Sequence, residues 1–146
     1  MKRVVITGIV AVTPIGNNVV DLWKNLTEGK SGAVHITRFN TEKHNTKFAC
    51  EVKGFDPLQF MEKQEIRKMD LYTQFAIAAT DECLKDSGIN LETCDRTRIG
   101  VIIATGIGGM QTLEEEVLNF EASGRIPRFS PYFVTKMIPN ISAGQI

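Results

Sequence analysis

The stretch ATGIGGMQTLEEE, Ala104 to Glu116, follows an apolar run and leads into a helix signal, the layout of a phosphate cradle. A dinucleotide cradle needs G-x-G-x-x-G after a strand and an acid about 20 residues further on. Gly106 and Gly108 fill the first two positions, but Gln111 stands at the third, and the neighbourhood of Ile126 is a Pro- and Arg-containing loop without an acid. No Gly-Lys-Ser/Thr occurs for a Walker loop, and the glycines of TGIVAVTPIG are too far apart for either pattern. The glycines are left with tight turns or close backbone approach, with Ile107 and Met110 flanking whatever passes. No nucleotide cofactor is expected.

Other reactive residue types are sparse. Cys50, Cys83 and Cys94 form no CxxC pair and are odd in number, which fits a reducing cytoplasm. Cys50 falls on a strand pattern, Cys83 on the apolar stripe of a helix and Cys94 in a polar loop, so each reads as structural. His35 and His44 sit in a polar, irregular stretch and read as surface residues. No catalytic group and no metal ligand set stands out. Lys63 and Arg67 share a helix face at i and i+4, with Lys68 beside them. On residue types alone, with Glu62 and Glu65 interleaved, this is a solvated charged face.

The elements that must carry these residues follow from pattern. Lys2 to Thr7 and RIGVIIAT read as buried strands, apolar on both faces as in a parallel sheet. Asn17 or Asn18 caps a helix with Asp21 in its first turn, Gly29 past its end, and Leu22, Trp23 and Leu26 as its buried stripe. Lys30 to Lys47 is an irregular excursion, and KFACEVKGF a short strand. Asp56 and Pro57 signal a further helix start. The longest helix begins near Asp70, presents Leu71, Phe75, Ala78, Ala79 and Cys83, and closes at Gly88. Thr112 with Glu115 forms a capping box for a helix ending at Gly124. Strand, helices, strand, helix is an α/β order, with no linker or repeat inside residues 1–146.

Composition narrows the partners. Lys plus Arg and Asp plus Glu both number 17 in 146 residues, so no overall charge attracts nucleic acid or an anionic membrane. No apolar run approaches the roughly 18 residues of a membrane span. The start MKRVVITGIVAV is basic then apolar, but Gly8 and TPIGNN read as a strand entering a turn rather than a signal peptide.

KRVVITGIVAVTPIGN, RKMDLYTQFAIAA, VIIATGIGG, SPYFVTKMIPN and SAGQI together resemble, in that order, the N-terminal part of the β-ketoacyl-[acyl-carrier-protein] synthases, in the type II form of bacterial fatty-acid synthesis. The resemblance implies a thiolase-like α/β fold, here as an incomplete N-terminal half, and a homodimer in the cytoplasm. It implies decarboxylative Claisen condensation of a cysteine-bound acyl group with malonyl-carrier protein. The family's nucleophile lies in a T-A-C-type motif after the segment matching SAGQI, and its histidines and lysine later still. Residues 1–146 are therefore expected to lack the catalytic residues, to have no condensing activity alone and to be poorly stable alone.

By position, the resemblance also makes Lys63, Arg67 and Lys68 a docking site for the acidic helix of acyl carrier protein. It sets Ile107 at the mouth of the acyl pocket, where bulk governs chain length. It places Phe133, Val134 and Met137 along that pocket and at the dimer interface. A polyketide-type ketosynthase, a chain-length factor or a non-catalytic carrier-binding module are the alternatives. Thr135 stands where relatives usually have proline, and Val10 where they have glycine.

Overall fold

The computed structural model describes residues 3–146, in two compact units. The first comprises the chain up to Asp56 together with Glu82–Gly88; the second comprises Pro57–Asp81 and Ile89–Ile146.

In the first unit Asn18 accepts the Asp21 amide at 2.8 Å and caps helix α1, Val19–Thr27. Gly29 follows α1 in the left-handed region, φ 69°. Strand β1, Ala33–His35, pairs antiparallel with β2, Phe48–Cys50, in the register Ala33↔Cys50, Val34↔Ala49 and His35↔Phe48. The expected excursion from Lys30 thus contains a strand, and His35 lies on it. The short run Ala33–His35 has too few residues for its alternation to show before its partner is known.

The second unit is helical. A 3-10 turn at Pro57–Gln59 precedes α2, Lys63–Ile66, so the Asp56–Pro57 signal starts a turn rather than a continuous helix. Helix α3, Leu71–Ser87, is the longest element; Asp70 caps it by accepting the Tyr72 amide, and Gly88 closes it at φ 66°. Its residues from Glu82 belong to the first unit and those up to Asp81 to the second. Helices α4 (Met110–Ala122), α5 (Phe133–Met137) and α6 (Ile141–Gln145) complete the unit. Apart from Met61, its most buried side chains are small or polar: Thr73, Gln74, Ala78 and Ser142. Gln74 is satisfied there by donating to the carbonyls of Met69 and Ile66.

Three expectations are corrected. Residues 3–7 and 98–105 form no strand, and Val4 and Ile102 are 92% and 95% exposed; Lys2 lies outside the described residues. A strand apolar on both faces requires hydrogen-bonded neighbours on its edges and a layer over each face. Among the described residues the only ladder is β1–β2, so neither run finds them. The α1 stripe is only partly covered, with Leu22 half-buried, Trp23 66% exposed and Leu26 also open. Finally, Thr112 is no N-cap: α4 begins two residues earlier with Gly109 at the cap position.

Candidate functional site

The glycine loop lies in the second unit, and its two halves behave differently. Gly109 donates its amide to the Met137 carbonyl at 3.1 Å, fixing the start of α4 to the end of α5. A Cβ at Gly109 would overlap the Lys136 carbonyl oxygen, and one at Gly108, which has φ 83°, would overlap that of Met137. Here glycine is required by backbone meeting backbone. Gly106, by contrast, faces open space, and Ile107 is 62% exposed. The Gly108 amide donates to Thr105 Oγ1 at 3.3 Å, closing a small turn whose apex is Ile107.

The loop is also held from the side of α3. Thr112 Oγ1 donates to Asp70 Oδ2, and that same carboxylate oxygen lies 3.0 Å from where a Gly109 Cβ would stand. Next to Asp70, Tyr72 donates its hydroxyl to the Ile138 carbonyl at 2.6 Å, just beyond α5. Asp70, Tyr72 and Thr112 therefore join α3, α4 and the end of α5 around Gly108 and Gly109. Sequence reasoning missed this role. The pattern showed Asp70 only as a helix start and assigned Thr112 to a cap, and contacts between residues 42 apart leave no periodic trace.

On α5, Phe133 is half-buried and stacks on Phe129 with ring centroids 5.6 Å apart, while Phe129 stacks on Phe120 of α4 at 5.4 Å. Met137 is half-buried at the other end, and Val134 is 58% exposed. Ile107, Phe133, Val134 and Met137 thus belong to two segments joined by the Gly109–Met137 hydrogen bond. Two carry open apolar surface and two anchor α5.

The basic trio is arranged more loosely than a helix would have it. Helix α2 ends at Ile66; Arg67 is its C-cap, still in the helical region, and Lys68 donates its amide to the Glu65 carbonyl in a following turn. Lys63, Arg67 and Lys68 are all exposed and line one shallow depression with Glu62, Gln64 and Glu65.

The cysteines and histidines stand apart from this geometry. Cys50 is exposed on β2, Cys83 half-buried on α3, and Cys94 half-buried in a loop; all three are free thiols. His44 packs edge-on against Phe39 with centroids 5.3 Å apart. Among the described residues no three His, Cys, Asp or Glu side chains gather as a metal site, and no helix is long and apolar enough to cross a membrane.

Comparison with known proteins sets this geometry in context. Residues 1–146 match the family described as Beta-ketoacyl synthase, N-terminal domain. The chain is 44% identical over 146 residues to 3-oxoacyl-[acyl-carrier-protein] synthase 2 of Vibrio cholerae, covering 99% of this chain and 35% of that protein. It is 39% identical to the Synechocystis protein of the same name, covering 98% of this chain and 34% of that one. Among solved structures it superposes on the ishigamide ketosynthase/chain length factor with a TM-score of 0.80 at 25% identity, over 94% of this chain and 34% of that one. A type II polyketide ketosynthase, solved with its acyl-carrier protein and bound to the hexaketide, gives 0.79 at 26%, over 99% and 38%. The thiolase-like α/β class rests on these superpositions, and the chain spans about a third of the relatives' length.

Proposed function

The chain belongs to the β-ketoacyl synthase family, and from that premise we propose that residues 1–146 are the N-terminal part of a 3-oxoacyl-[acyl-carrier-protein] synthase that elongates fatty acyl chains in the cytoplasm. The observation that carries the reading is the 44% identity, across nearly the whole chain, to a protein of that name. The polyketide ketosynthases share the fold at identities of only 25% and 26%, which ranks the fatty-acid reading above them.

In the reaction, a malonyl thioester on carrier protein loses carbon dioxide. The resulting enolate carbon bonds to the carbonyl carbon of a cysteine-bound acyl thioester, and the cysteine leaves as a thiolate. Backbone amides and histidines stabilise the oxyanion and the enolate. None of Cys50, Cys83, Cys94, His35 or His44 stands in such a constellation, so the reading places those groups outside residues 1–146. Within them, Ile107 faces the incoming acyl chain, with Phe133, Val134 and Met137 extending the pocket wall toward a second subunit. Lys63, Arg67 and Lys68 receive the acidic face of the carrier protein. Their exposure supports that role, because a docking charge must be reachable before it is desolvated.

Charge reversal tests the carrier surface. In the full-length gene product, Arg67→Glu with Lys68→Glu should weaken carrier-protein binding by roughly tenfold or more. Ile107→Phe should restrict condensation to short primers. Unchanged carrier affinity rejects the docking assignment, and an unchanged primer profile rejects the pocket assignment. Condensation by purified residues 1–146 alone would reject the placement of the catalytic groups elsewhere.

A further inference from the structure

The glycine loop combines a fixed half with a free half, and its fixed half is held from two directions. Met137 anchors Gly109 through the backbone. Asp70 reaches the same place from the start of α3, accepting the Thr112 hydroxyl and lying 3.0 Å from where a Gly109 Cβ would stand. Asp70 is itself held, because its other carboxylate oxygen accepts the Tyr72 amide and Tyr72 is tied to the Ile138 carbonyl. Tyr72 and Asp70 thus grip both sides of the α4–α5 junction, two residues from Ile107.

We propose that Asp70, acting through Thr112, is a positioning residue for chain-length selection: it fixes the base of the loop so that Ile107 can move only through the torsions of Gly106 and Gly108. Without that hold, the start of α4 can shift away from α5, carrying Ile107 from the line of an incoming acyl chain. The side chain at 107 then obstructs less, and long primers gain on short ones. Neither Asp70 nor Thr112 touches the acyl chain in this arrangement. The inference rests on the reading of Ile107 as the pocket mouth.

The test compares Asp70→Ala, Thr112→Val, Thr112→Ser and Ile107→Ala in the full-length gene product, using acyl-carrier-protein primers of short and long chain. The ratio of long-primer to short-primer kcat/KM should rise about fivefold in Asp70→Ala and Thr112→Val. Thr112→Ser, which keeps the hydroxyl, should stay near the parent. An equal loss on every primer, or a ratio that holds or falls, overturns the proposal, since a merely structural residue gives that result.

Hydrogen exchange at the Gly109 amide separates the two layers of the argument. It should quicken about tenfold in Asp70→Ala and Thr112→Val, and remain at the parent rate in Ile107→Ala. Unchanged exchange in the first two overturns the hold itself. If exchange quickens but Ile107→Ala leaves the primer ratio unaltered, it is the pocket-mouth reading that fails, and selection through Asp70 falls with it.

Discussion

Two glycine-bearing segments lie in different units and use the same residue to opposite ends. In the first unit, Gly8 presses on the last turns of α3: a Cβ there would stand 2.5 Å from the Cys83 carbonyl oxygen and 3.0 Å from Ser87. Nearby, the Ile9 amide donates to Asp86 Oδ2 at 2.8 Å, so the contact is one-sided, a chain laid along a helix. In the second unit Gly109 is enclosed between the Lys136 carbonyl and Asp70, and the residues just before it are open. The first arrangement is packing alone. The second couples a fixed backbone to an exposed isoleucine, and only that combination provides a movable apolar group at a defined place.

The comparison can be broken most directly by adding one carbon. Gly109→Ala should destabilise by about 3 kcal/mol, because backbone must move on one side and the Asp70–Thr112 contact on the other. Gly8→Ala should cost about 1–2 kcal/mol, since the exposed chain before it can lift away from α3. Urea unfolding of the full-length gene product measures both, and equal losses would erase the distinction between enclosed and one-sided contact.

A smaller effect is expected at Gly106, whose Cβ position is empty. Gly106→Ala should alter stability by no more than about 0.5 kcal/mol while narrowing the torsional range of Ile107. Its signature is a changed primer profile at unchanged unfolding midpoint.

The smallest effect belongs to the first unit's surface. Glu51 accepts the Thr37 hydroxyl at 2.7 Å and its amide at 3.0 Å; these bonds, with a lesser contribution from the Arg38 charge, hold its carboxyl below the usual range. A carboxyl pKa lowered on folding adds stability above its unfolded value and loses it as pH falls through the folded one. Glu51→Gln should therefore melt slightly below the parent at neutral pH and level with it in acid. Because the hydrogen bonds of this half-buried residue lie at the surface, salt should shrink the difference further.

What could be read from sequence divides along the reach of the interactions. Asn18 with α1 and α3 with its Gly88 stop depend on neighbours within a few residues, and both stand as patterned. The runs at 3–7 and 98–105 carry strand chemistry, yet strand formation is decided by partners distant in sequence, and no ladder reaches them among the described residues. The site shows the same division. Residue types alone show a solvated charged face at Lys63, Arg67 and Lys68 and a turn flank at Ile107, and their proposed roles come from the resemblance, whereas the contact of Asp70 with Thr112 exists only when α3 meets α4. The question posed by the glycines has a geometric answer: Gly108 and Gly109 admit the carbonyls of α5, and Gly106 admits nothing.

The uncovered apolar runs have a consequence for solubility. Arg3 is followed by no charged residue until Asp21, and Arg98 by none until Glu114. Each run therefore has two cationic residues at one end, Lys2 and Arg3 or Arg96 and Arg98, and then a long uncharged stretch that begins with exposed β-branched residues. Such segments recruit one another edge to edge. When residues 1–146 stand alone, self-association should begin at these two runs, and light scattering as a function of concentration would report it.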